Sequence, residues 1–190
     1  FTETIDTMPT ILEWPGLPVP RPCDGRSLLA VCEGQAPRDW RREAHHDPVT
    51  GLLNRSHFLA RVQTTLARED AGAEGILVIA RLLDLHELNR GQGWAVMDTL
   101  IKRFAEALRA MAPQEAEWIF GRLNGSDFAV LAPGEDDAGA LARRVQEALQ
   151  MLARELDLQA VCHLPAAATP YQHGDQLSRV LARVDVALAN

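Results

Sequence analysis

A single carboxylate, Asp127, stands just past an Asn-Gly pair in "GRLNGSDFAV" (121–130). A carboxylate presented at a turn can hold a hard divalent cation or act as an acid or base. The same stretch also reads as a plain tight hairpin. Other reactive side chains are scattered. His45, His46, His57, His86, His163 and His173 include no two at a helical metal spacing with a matching third ligand, and His45-His46 read as exposed residues at a helix end. Cys23, Cys32 and Cys162 are an odd set without C-x-x-C, so neither a disulfide framework nor a zinc site is expected, and a reducing cytosol is the simplest setting. "GQGWA" (91–95) only partly matches a phosphate-binding glycine loop and follows a turn rather than a strand.

The elements that must position Asp127 are legible from hydrophobic periodicity. Asn124-Gly125 lies between "EWIFGRL" and "SDFAVLA", two strand-like runs, and a two-residue type I′ hairpin is expected. Upstream, Ser56 is expected to cap a helix with Phe58, Leu59, Val62 and Leu66 on one face. "ILVIARL" (76–82) reads as a central strand. Residues 94–111 read as a helix with Val96, Leu100, Phe104, Leu108 and Met111 in a stripe, closed by Pro113. A helix over 136–154, a strand around 157–164 and a final helix over 174–189 complete the order helix, strand, helix, hairpin, helix, strand, helix. That order suggests an α+β fold with a mostly antiparallel sheet and does not suggest a doubly wound parallel one.

Residues 1–44 differ in character. "WPGLPVPRPCDG" (14–25) cannot form a regular helix or central strand, so this part is expected to be a linker or small accessory region. The chain begins at Phe1 with no signal-peptide pattern and reads as a piece of a longer protein. Its 190 residues carry a net charge of −7, which argues against broad binding to nucleic acid or anionic lipid. No apolar run approaches the roughly 20 residues of a membrane span, so no direct membrane contact is expected.

Four local motifs now point the same way. "HDPVTGLLNRSHF" (46–58) resembles the "hDxLTGLxNRxxF" opening of GGDEF domains, the diguanylate cyclase family of cyclic-di-GMP signalling. "LNRGQGWAVMD" (88–98) is similar to their "INDxYGHxxGD", "GRLNGSDFAVLAPG" (121–134) to "xRYGGDEFxxLLPG", and "LARVDVALAN" (181–190) to "xxRADxALYxA". The resemblance covers about residues 45–190. It implies a nucleotidyl-cyclase-like palm with a five-stranded, largely antiparallel sheet flanked by helices. It also implies a chemistry in which divalent metal, held by carboxylates, activates a 3′-hydroxyl across a dimer of two GTP-loaded protomers.

Residue by residue, the resemblance is uneven. Asn89 and Asp98, nine residues apart, match the pair that reads the guanine edge and are the nucleotide-binding candidates. Where the family has its first metal carboxylate this chain has Arg81, and Leu83 stands at the second acid. Asp84 could substitute only by a register slip that breaks the Asn89–Asp98 match. The signature reads Asn124, Gly125, Ser126, Asp127, Phe128 against Gly-Gly-Asp-Glu-Phe: one acid is kept, one methylene short, and Phe128 is expected to be core. Glu115 and Trp118 replace the Arg and Asp of the product-inhibition site, so cyclic-di-GMP is not expected there. The family's triphosphate-binding Lys and Arg lie past Asn190.

These departures imply a degenerate domain with no catalytic residues, no metal and no Mg²⁺, which relays or dimerises in a larger protein with a sensor domain and a following EAL domain. The pattern resembles that of LapD-like GGDEF–EAL receptors, with this part in the cytoplasm and the full-length protein anchored in the inner membrane. Two alternatives stay open: an allosteric module with GTP as a non-turnover ligand, and a weak residual cyclase using Asp127 alone.

Overall fold

The computed structural model describes residues 45–69, 74–83, 94–158 and 164–189, together with 11–12, 14–15 and 18. The chain divides into two units, Phe1–Ala44 and His45–Asn190. In the first, Ile11 and Leu12 are helical and Trp14-Pro15 forms a turn, with Ile11 and Trp14 exposed. Among the described residues no helix is long and apolar enough to cross a membrane.

The second unit is built from β1 (Leu53–Asn54), α1 (Arg55–Leu66), β2 (Gly75–Arg81), α2 (Trp94–Ala110), β3 (Ile119–Arg122), β4 (Asp127–Pro133), α3 (Ala138–Glu155), β5 (Ala166–Tyr171) and α4 (Leu177–Ala189). The strands form one sheet in the order β1-β3-β4-β2-β5. Only β1 and β3 run parallel; the other pairs are antiparallel. The expected α+β palm with a mostly antiparallel sheet is the observed fold.

β2 is an unbroken apolar run because both of its faces are covered. Ile76, Val78 and Ala80, with Phe128, Val130 and Ala132 of β4, pack under Leu100, Phe104 and Leu108 of α2 and Val145 and Leu149 of α3. Leu77 and Ile79, with Ala129 and Leu131, pack on the opposite face against Phe58 and Val62 of α1 and Val180 and Val184 of α4. The period-two alternation of a strand assigns each side chain to its layer. One consequence matters for the site. Arg81 shares the parity of Leu77 and Ile79, and Asp127 that of Ala129 and Leu131, so both fall on the α1/α4 face.

Three expectations are corrected. α1 is capped by Asn54, whose Oδ1 accepts from His57 N–H, and Ser56 lies inside the helix. The amide oxygen reaches the free N–H of the first turn from a position in extended backbone, as an N-cap requires. The last described strand is β5 at 166–171; of the expected 157–164, Asp157, Leu158 and Leu164 lie in no strand and 159–163 fall outside the described residues. Leu156 and Leu158 instead close α3, with Asp157 at φ 57° reversing the chain. The small residues of "AAATPY" hid β5, since its strand character comes from pairing with β2 rather than from propensity. The third correction, to the hairpin, is described with the site.

Gly121 is required by a close approach. A Cβ there would lie 2.5 Å from the Phe58 ring, which is fully buried against β3. Gly121→Ala is expected to lower unfolding free energy by about 1–3 kcal/mol through overpacking, read as a lower urea midpoint at unchanged slope. An unchanged midpoint would mean that Phe58 moves aside freely.

Candidate functional site

The site is the β3–β4 hairpin with the end of β2 beside it. Leu123 N–H donates to the Asp127 carbonyl at 2.8 Å, so residues 124–126 form a three-residue connection rather than the expected two-residue one. The Asn124 side chain organises it. Its Oδ1 accepts from the backbone N–H of Ser126 at 2.8 Å and of Asp127 at 2.7 Å, an Asx turn that competes with the backbone-only alternative.

Asp127 and Arg81 are directly paired across β4 and β2. The guanidinium grips the carboxylate with both prongs: Nε donates to Oδ1 and Nη2 to Oδ2, each at 2.8 Å. Asn124 Nδ2 adds a bond to Oδ2 at 3.0 Å and Ser126 Oγ one to Oδ1 at 3.2 Å. Each carboxylate oxygen therefore meets two donors. The Asp127 side chain is only 8% exposed and Arg81 34%, with Asp185 of α4 at 3.9 Å on the solvent side of Arg81. Burial pushes the Asp127 carboxyl up; the bonds from Arg81, Asn124 and Ser126 and the Arg81 charge outweigh it and leave the pKa lowered. Arg81 is raised in turn, first by its bond to Asp127.

This arrangement does not fit a catalytic divalent metal. Such an ion needs several oxygen ligands at about 2.0–2.6 Å, and the guanidinium nitrogens already sit against both Asp127 oxygens. Ser126 contributes a hydroxyl that donates to Asp127. Among the described residues no three His, Cys, Asp or Glu side chains gather as a metal site.

The hairpin is held on its other face as well. Arg122, 5.9 Å above the Phe128 ring, donates from Nη1 to Asp47 at 3.1 Å and from Nη2 to the Gly125 carbonyl at 2.7 Å. Asp47 also accepts from Thr50 N–H and Oγ1, which folds the 47–52 turn, and Gly51 in that turn takes φ 64°, where glycine is favoured. Burial raises the Asp47 carboxyl, while the Thr50 bonds and Arg122 bring it below its ordinary value. The reading of separate motifs missed this clamp; the joint presence of Asp47 in "HDPVTG" and Arg122 in "GRLNG" was the available signal.

Phe128 is core, edge-on to Phe104 at 4.9 Å between ring centroids. Asp98 is exposed on α2. Its expected partner Asn89 lies outside the described residues, as do Asp84 and the three cysteines. Trp118 is buried in the α2/α3 core and Glu115 is exposed. Of the histidines, His45 is exposed as expected, whereas His46 is half-buried and donates from Nδ1 to the Gly51 carbonyl.

Arg81→Met would strand a buried carboxylate, and is expected to cost about 1–3 kcal/mol of stability at neutral pH. Because the folded Asp127 pKa is lowered, its contribution is full above the ordinary carboxylate value near 3.8 and is lost as pH falls through the folded one. In Arg81→Met burial acts unopposed by the guanidinium, so this acid loss should shrink. Urea midpoints between pH 7 and pH 3 check both statements; an unchanged midpoint at pH 7 would refute the first, and parallel curves for wild type and variant would refute the second.

The fold and these pairs frame the comparisons with known proteins. Diguanylate cyclase TpbB of Pseudomonas aeruginosa is 35% identical over 101 residues, 52% of this chain and 23% of TpbB. The coiled coil and GGDEF domain of DgcB from Caulobacter crescentus, solved in complex with c-di-GMP, superposes with a TM-score of 0.67 at 20% identity over 85% of this chain and 86% of that one. The S helix-GGDEF-EAL portion of Vibrio cholerae LapD superposes at 0.62 with 20% identity, over 78% and 34%. At these identities the two structures establish the fold. The chain spans 9% to 39% of the length of the curated relatives it matches. A family model described as "Diguanylate cyclase, GGDEF domain" matches residues 44–190, and the chain belongs to the GGDEF family.

Proposed function

We propose that this chain is a regulatory module of cyclic-di-GMP signalling that performs no cyclase turnover and relays or dimerises within a larger protein carrying a sensor and an EAL domain. The observation that carries this reading is the two-pronged Arg81–Asp127 contact. It places a fixed positive charge against the acid that the signature retains, where turnover needs a mobile divalent ion and more than one carboxylate. The S helix-GGDEF-EAL architecture of LapD is a precedent for a GGDEF domain beside an EAL domain. Incubation with GTP and Mg²⁺ or Mn²⁺ at high protein concentration should yield no cyclic-di-GMP by mass spectrometry; metal-dependent product above a protein-free blank overturns the reading.

A second reading keeps guanine recognition without turnover. It is favoured by the exposure of Asp98 on α2, where a carboxylate can accept from the guanine N1–H and N2–H₂. Titration calorimetry separates the two. Heat with GTP but none with ATP supports a nucleotide-tuned module, and heat with neither leaves the scaffold alone.

A further inference from the structure

The turn at the start of the second unit brings together two histidines twelve residues apart in sequence. His45 is the first residue of that unit and is exposed; His57 lies in the first turn of α1 and is half-buried. Their rings stack with centroids 3.8 Å apart and planes tilted by 32°. Neither ring is placed by chance. Asp47 and Thr50 fix the intervening turn, and Asp47 N–H donates to the Leu52 carbonyl at 2.8 Å. His57 Nδ1 donates to the N-cap oxygen of Asn54 at 3.2 Å, which leaves Nε2 as the atom that takes up a proton.

We infer that the His45–His57 stack is a proton-operated latch at the point where the chain enters the GGDEF fold, closed while both rings are neutral and opened when both are charged. Two imidazolium rings face to face repel. Among the described residues, the acids near the pair are already engaged elsewhere. On α1, Arg61 lies one turn beyond His57, and Arg55 precedes it. His46 adds a third imidazole on the 45–52 segment. From α2, Arg109 donates to the Gly51 carbonyl at 2.6 Å. From β3, Arg122 is matched by Asp47, whose carboxylate is already held by Thr50 and Arg122. β1 carries no charge, and α4, which also packs on α1, places Arg183 on Asp175 and Asp185 near Arg81. Partial burial, followed by the neighbouring His45 and His46, accordingly holds His57 below its ordinary value. Acidification from about pH 7 to pH 5 then releases His45 from α1 without touching the Asp127 and Asp47 clamps, whose carboxyls titrate lower still. The latch depends neither on nucleotide nor on the loss of turnover; it supplies an input that the hairpin cannot.

Histidine-detected NMR on the full chain tests it, with His45→Phe as the non-titrating ring. Inter-ring NOEs in wild type should be present at pH 7.5 and lost by pH 5. In His45→Phe they should survive at pH 5, and the His57 titration midpoint should move up toward that of a free imidazole. Wild-type NOEs that persist at pH 5, NOEs lost equally in the variant, or an unmoved His57 midpoint would each overturn the latch.

Discussion

The contact between Arg81 and Asp127 can form because β2 and β4 pair in one register over seven residues, from Gly75 opposite Pro133 to Arg81 opposite Asp127. That register is set by the core. A shift by one residue would turn Leu77, Ile79, Ala129 and Leu131 out of the α1/α4 layer and exchange them with Val78, Ala80, Phe128 and Val130. Two apolar layers thus deliver one guanidinium and one carboxylate to the same edge. Four donors on two oxygens then compensate the desolvation of Asp127, the condition under which a buried ion pair is tolerable. The hairpin, the central strand and the last helix meet at this point through side chains.

The Asn124 turn and the Arg122 clamp complete the same logic. Asn124 binds both the backbone and the Asp127 carboxylate, so the loop conformation and the ion pair stabilise each other. Arg122 leaves the opposite face of β3 and reaches the 47–52 turn, so the hairpin is braced from both sides of the sheet. Removing either arginine would leave an acid in partial burial with too few donors.

How much of this was readable follows from range. Helices, central strand and hairpin strands showed in local periodicity, since both layers need their apolar residues at fixed spacing. β5 did not, because "AAATPY" has little intrinsic strand signal and is recruited by β2. The Asn54 cap and the three-residue turn were misplaced by one or two residues because several Asn and Ser in each segment could serve equally, and only the completed bond pattern selects among them. At the site, Arg81 was legible as a type out of keeping with metal binding and Asp127 as the one acid the signature keeps. Their mutual grip was not, being a contact between residues 46 apart that depends on the register. The same holds for the stacked His45 and His57, which local spacing alone does not bring together.

A hairpin whose carboxylates need a metal is a responsive element: without the ion, like charges repel, and with it the loop tightens. Here the cation is covalently part of β2, at an effective concentration no free ion matches. On the proposed reading the hairpin geometry does not respond to divalent ions, and a ligand with no differential interaction with two states shifts neither. A module of this kind can pass on a change only through elements that retain two arrangements. The doubly covered sheet is close-packed and offers none. The segment that enters the fold is different: His45 is exposed and, among the described residues, its ring rests on that of His57, with the 47–52 turn behind it. On the proposed reading, a domain that carries its own counter-ion has responsiveness at that margin and rigidity at the Arg81–Asp127 edge.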